Sequence, residues 1–114
     1  MKSELGGLNK REVVAINSFV KELKEKLGDE IVSIRLFGSK ARGDFHEESD
    51  IDIFILLKEK KKPVIEELDE IAANYVLHYD LPLSPVVYDI FEYKQNKELG
   101  SFFFENVEGE GILL

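Results

Sequence analysis

The run Asp50-Ile51-Asp52-Ile53-Phe54-Ile55-Leu56-Leu57 does most to limit what this chain can become. Its apolar part is continuous rather than alternating, so a strand built from it has to be covered on both faces. That makes it a central strand and calls for helices packed on a sheet. Two carboxylates open the strand. Successive strand side chains alternate between faces, so Asp50 and Asp52 point the same way, near enough to share a cation. Ionised carboxylates at the mouth of an apolar strand are costly unless something positive compensates them. A divalent ion does so, and hard cations such as Mg²⁺ take oxygen ligands and keep water and phosphates as the others. The plainer alternative is that Asp50 caps the strand and Asp52 pairs with Arg42 or Lys40.

The flanking segments supply the cover. Asn9 with Glu12 three residues on reads as a capping box, and Val13, Val14, Ile16, Phe19, Val20, Leu23 and Leu27 recur at helical spacing until Gly28 supplies a left-handed stop. Ile31–Phe37 alternates as a strand, with Val32, Ile34 and Leu36 on one face and Ser33 and Arg35 on the other. Residues 38–49 read as a glycine-serine turn and a short helix. The basic stretch 58–62 reads as a solvated turn. Pro63 suits a first helical position, followed by a stripe of Val64, Ile65, Leu68, Ile71, Ala72, Tyr75, Val76 and Tyr79. A third strand is expected over about 85–90, with Pro82 and Pro85 suited to a strand start or an edge. A last helix is expected near 98–106, burying Leu99, Phe102 and Phe103, before an apolar end at 112–114. The order is helix, strand, short helix, strand, helix, strand, helix. This is an α/β (α+β) arrangement, a small mixed sheet of three to four strands flanked by helices.

Size and charge narrow the function. A chain of 114 residues reads as one domain, 1–114. It has no cysteine, hence no disulfide, thiol nucleophile or thiolate metal site. No apolar run approaches the ~20 residues of a membrane span and no signal-peptide pattern stands at the start, which points to the cytoplasm and away from membranes. With 23 acidic against 15 basic residues the net charge is -8, which argues against direct nucleic-acid binding. An anion site must then be built locally.

Such a site is legible upstream of the aspartates. The first strand runs into Gly38-Ser39-Lys40-Ala41-Arg42-Gly43, and a glycine-serine turn opening a helix presents backbone N–H groups to an anion. Phosphate plus metal is the combination that nucleotide chemistry requires. Leu36-Phe37-Gly38-Ser39, a gap of ten residues from 40 to 49, and Asp50-Ile51-Asp52 together resemble the signature of the nucleotidyltransferases of the DNA polymerase β superfamily. The resemblance is greatest to their small stand-alone members, the minimal nucleotidyltransferases.

That resemblance implies an Mg²⁺-dependent transfer of a nucleoside monophosphate, AMP from ATP, to a hydroxyl acceptor. Gly38 and Ser39 would hold the triphosphate of ATP or another nucleoside triphosphate, Asp50 and Asp52 would bind Mg²⁺ and carry catalysis, and Lys40 and Arg42 would add positive charge toward the phosphates. The plainer reading of those two cations is solvent-facing helix residues. The resemblance also implies a small helical HEPN-type partner in a toxin–antitoxin pair. One departure stands out: such enzymes place a third carboxylate on the strand after the long helix, whereas the aligned position here falls near Ser84 or Pro85. Asp80 precedes that strand and Asp89 lies toward its far end. The alternative is therefore a catalytically weak or inactive binding module that retains the fold and neutralises a partner protein. The acidic charge and the missing template-binding domains argue against a nucleic-acid polymerase fragment. His46, His78 and the Phe102-Phe103-Phe104 run read as surface, capping and core or interface residues, and apolar residues toward the end suggest a homodimer or partner docking.

Overall fold

The computed structural model describes residues 8–38, 50–98 and 111–114. Its elements are α1 (Lys10–Leu27), β1 (Ile31–Phe37), β2 (Ile51–Leu57), α2 (Lys62–His78), β3 (Leu83–Asp89), α3 (Ile90–Glu98) and β4 (Ile112–Leu113), with a 3₁₀ turn at Gly28–Glu30. The four strands form one mixed sheet in the order β3-β2-β1-β4. Pairing of β1 with β2 and β4 is antiparallel, and pairing of β2 with β3 is parallel.

Helix α1 starts where its capping box requires. Asn9 Oδ1 accepts from the Glu12 backbone N–H at 2.8 Å, and Glu12 Oε1 accepts from the Asn9 N–H at 3.1 Å. Its apolar stripe buries Val13, Ile16, Phe19, Val20, Leu23 and Leu27, while Val14 is exposed. Gly28 differs from the expected left-handed stop: its φ of 7° and ψ of -87° lead instead into the 3₁₀ turn. Helix α2 opens with Pro63 in its first turn, where the missing N–H costs nothing, and buries Val64, Leu68, Ile71, Ala72 and Tyr75. Val76 and Tyr79, placed in that stripe by spacing alone, lie mostly at the surface.

The two long helices share one face of the sheet. There they enclose Ile34 and Leu36 of β1 and Ile51, Ile53, Ile55 and Leu57 of β2. The opposite face carries Phe54 and Leu56, packed by Phe37, Val86, Tyr88 and Tyr93 of α3. Strand β2 is thus covered on both sides, as its unbroken apolar run demands. The Phe54 ring stacks on Tyr88 at 5.8 Å and meets Tyr93 at 6.2 Å. Val32 was expected beside Ile34 and Leu36; a register shift between Ile31 and Ser33 breaks the alternation and leaves it 46% exposed. Strand β3 begins at Leu83 rather than 85 and stands at the edge of the sheet, where Pro85 is tolerated.

The strand expected over about 85–90 ends at Asp89, and Ile90 opens helix α3 instead. Asp89 caps it: its Oδ1 accepts from the Glu92 N–H at 2.8 Å, and Glu92 Oε1 accepts from the Asp89 N–H at 3.1 Å. The basic stretch is a turn running into α2, but two of its lysines are engaged. Lys60 pairs with Glu92 at 3.1 Å and Lys61 with Glu30 at 3.2 Å. The short helix expected within 38–49 and the greater part of the helix expected at 98–106, with its phenylalanines, lie outside the described residues. Among those described, no helix is long and apolar enough to cross a membrane.

Candidate active site

Three strand ends meet at one edge of the sheet. Strand β1 finishes at Phe37 and turns at Gly38, whose φ of 78° is in the left-handed region that glycine enters without strain. Strand β2 starts there with Asp50 just before it, and β3 starts there too, tied on by the Ile51 N–H donating to the Pro82 carbonyl at 2.8 Å. Register then fixes the neighbours: Phe37 stands opposite Asp52, and Asp52 stands opposite Ser84. All three side chains project from the face away from α1 and α2, since Leu36, Ile51, Ile53 and Leu83 take the other.

The Asp52 carboxyl group lies against Gly38. A Cβ on Gly38 would stand 3.1 Å from Asp52 Cγ and 3.3 Å from Asp52 Cβ, and closer still to Oδ2. Glycine is required here on two counts, backbone conformation and room for the carboxylate. Asp50 is exposed and Asp52 half-buried, so one acid of the pair reaches toward solvent while the other is set into the sheet. Ser39, Lys40, Arg42 and His46 lie outside the described residues.

The departure on β3 is now placed. Pro85 pairs in register with Ile53 and belongs to the helix-covered face, so the position beside Asp52 is Ser84. Asp89 stands opposite Leu57 at the far end of β2 and spends its carboxylate on the cap of α3. Asp80, with a φ of 52°, sits in the turn before β3. Neither occupies the Ser84 position. Among the described residues no three His, Cys, Asp or Glu side chains gather at ligand spacing. Two carboxylates beside a glycine turn nevertheless suit a hard divalent ion, which is commonly held by one or two carboxylates plus phosphates and water. His78, at the end of α2, has Nδ1 3.2 Å from the Asn74 carbonyl, a local helix-end contact.

Comparison with known proteins decides the family. The Nucleotidyltransferase domain profile matches residues 16–112. The chain belongs to the nucleotidyltransferase-domain family. Within it, two proteins of Methanocaldococcus jannaschii, each named "putative protein adenylyltransferase", are similar to this chain. One is 38% identical over 100 residues, covering 85% of this chain and 92% of its own length. The other is 39% identical over 103 residues, covering 90% and 97%. A crystal structure of a "putative nucleotidyltransferase" from Sulfolobus solfataricus aligns over 94% of this chain and 88% of its own, with a TM-score of 0.49 and 22% identity. The mixed sheet flanked by helices and the resemblance to minimal nucleotidyltransferases are both borne out. In this nucleotidyltransferase domain the matched region takes in β1, β2 and β3, reaches the first residue of β4, and includes the ends that gather Gly38, Asp50, Asp52 and Ser84.

Sequence reasoning assigned no role to one residue of the same face. Arg35 alternates with Phe37 along β1 and stands opposite Phe54 on one side and Leu113 on the other. The period of the strand gave its side, but nothing in the sequence said which neighbours it would have.

Proposed function

We propose that this nucleotidyltransferase domain transfers AMP from ATP to a hydroxyl group of a protein acceptor, using Mg²⁺. The observation that carries the reading is the approach of Asp52 to Gly38, which sets a carboxylate against a turn suited to a phosphate chain. In this reading Gly38, Ser39 and Arg42 hold the nucleotide, and Asp50 and Asp52 hold the ion and are the catalytic residues. The bound ion would screen the phosphate charge and lower the pKa of the attacking hydroxyl. The acceptor oxygen forms a bond to the α-phosphorus, the bond from that phosphorus to the bridging oxygen breaks, pyrophosphate leaves with the electron pair, and the hydroxyl proton passes to solvent. Names of the M. jannaschii relatives support a protein acceptor and an adenylyl donor. A HEPN-type partner, a toxin–antitoxin role, a homodimer and a cytoplasmic setting belong to the same proposal.

A second reading is favoured by Ser84. A neutral hydroxyl in register with Asp52 leaves the described site with two carboxylates, which suits nucleotide binding without rapid turnover and hence a module that masks its partner. One experiment separates the two. The protein is incubated with α-labelled ATP, Mg²⁺ and the product of the adjacent gene. Label on the acceptor that disappears with Asp50→Asn supports transfer; ATP binding without label or pyrophosphate release supports masking.

A further inference from the structure

The geometry points to Arg35 as the residue that holds the α-phosphoryl group of a bound nucleoside triphosphate, with the β and γ phosphates toward Gly38. This rests on the nucleotide-binding reading above and adds to it the direction in which the triphosphate runs.

Three observations carry it. First, Arg35 lies on the site face of the sheet. Register places Phe37 opposite Asp52 and Arg35 opposite Phe54, so Arg35 is the diagonal neighbour of Asp52. Such diagonals span roughly 7–8 Å, within reach of a long side chain. Second, Arg35 is half-buried and makes no hydrogen bond, ion pair or ring contact among the described residues. The other described arginine, Arg11, donates to the Tyr79 carbonyl at 2.7 Å. A guanidinium carries five donors, and leaving them without acceptors in a partly desolvated place is unfavourable. None of the acids among the described residues is paired with this arginine, which leaves its donors to an anion that arrives from outside. Third, among the described residues the β4 flank of Arg35 is exposed. Leu113, which flanks Arg35 on β4, is 63% exposed, while Phe54 on the other flank is buried beneath Tyr88 and Tyr93.

Position along the strands sets which phosphate is met. Gly38 lies at the mouth, Asp52 one row in, and Arg35 a further row in, so Asp52 stands between the glycine turn and the guanidinium. A phosphate chain seated on the turn and passing Asp52 brings its innermost phosphoryl group to Arg35. Planar two-point donation to non-bridging oxygens is what arginine does and lysine does not, which gives the test its control.

Calorimetric titrations of the full chain with ATP, AMP, adenosine and pyrophosphate in Mg²⁺, on the wild type, Arg35→Gln and Arg35→Lys, decide the matter. Wild type is expected to bind AMP tighter than adenosine. Arg35→Gln is expected to weaken AMP and ATP by tenfold or more while leaving adenosine and pyrophosphate unchanged, and Arg35→Lys to recover part of the loss. The melting temperature of Arg35→Gln should equal that of the wild type. Unchanged AMP affinity in Arg35→Gln, equal loss of pyrophosphate, or AMP no tighter than adenosine on the wild type each overturns the assignment while ATP binding keeps the nucleotide reading. A wild type that binds neither ATP nor AMP overturns both.

Discussion

Asp52 and Gly38 are packed so that neither residue leaves room for the other to grow. The carboxylate occupies the space a side chain on Gly38 would need, with Asp52 Cγ 3.1 Å from the position of that missing Cβ. Gly38→Ala therefore has to meet two costs, a left-handed backbone and a displaced carboxylate. It should destabilise the fold by about 1–3 kcal/mol, the usual range for strained backbone of this kind. Urea unfolding gives that number, and the same variant should lose Mg²⁺-dependent ATP binding by titration. A variant as stable as wild type that still binds ATP would remove the reason for glycine here.

The two aspartates should separate in stability but not in binding. Asp50 is exposed, so Asp50→Asn is expected to shift unfolding by no more than about 0.5 kcal/mol, as surface changes usually do. Asp52 is set into the sheet between Phe37 and Ser84, and Asp52→Ala should be the more damaging. Either substitution should abolish binding of the Mg²⁺ complex of ATP. Thermal melts beside titrations check both parts.

Ser84→Asp would place a like charge in register with Asp52. Without a cation it should lower stability by roughly 0.2–1 kcal/mol, since facing like charges repel. With millimolar Mg²⁺ the sign should reverse, because a third carboxylate completes an oxygen cradle. Melting curves in chelator and in Mg²⁺ test this, and a variant indifferent to the ion would place the cation elsewhere.

Tyr75 gives the fold an alkaline limit. Burial, foremost, raises its pKa above the ordinary value of 10.0, and its hydroxyl donates to Glu22 Oε1 at 3.1 Å while Ser18 Oγ lies 2.8 Å away. The folded state thus favours the neutral phenol. Its contribution to stability is complete below pH 10 and is lost as pH climbs through the higher folded-state value. Tyr75→Phe should cost about 1 kcal/mol at neutral pH by removing these hydrogen bonds, and should flatten the stability profile above pH 10. Chemical unfolding at stepped pH, with ultraviolet titration of the phenolate, measures both.

How far the residues announced this arrangement depends on where their partners lie. The capping box of Asn9 and Glu12, the first-turn Pro63 and the doubly covered β2 were legible because each signal is local. Gly38, Asp50 and Asp52 were legible as a spacing, although only register shows Asp52 lying against Gly38. The displacement of Val32 was hidden, because a register shift belongs to the pairing of two strands and not to either one. Helix α3 was missed although its signal is as local as that of α1: Asp89 and Glu92 form the same reciprocal cap as Asn9 and Glu12, but the strand read over about 85–90 took in Asp89 and Ile90. Ser84 could be bracketed but not separated from Pro85 until the parallel pairing fixed the row.

The two outer strands bear on how this protein meets others. At one margin Pro85 removes a backbone donor from β3, and at the other β4 consists of Ile112 and Leu113 alone. A long, fully hydrogen-bonding margin invites another chain to add a strand and, at worst, to seed insoluble assemblies. Among the described residues neither margin offers that template. Any complex this protein forms is accordingly expected to be built from side chains on its faces, which permits a partner to be gripped and released without extending the sheet.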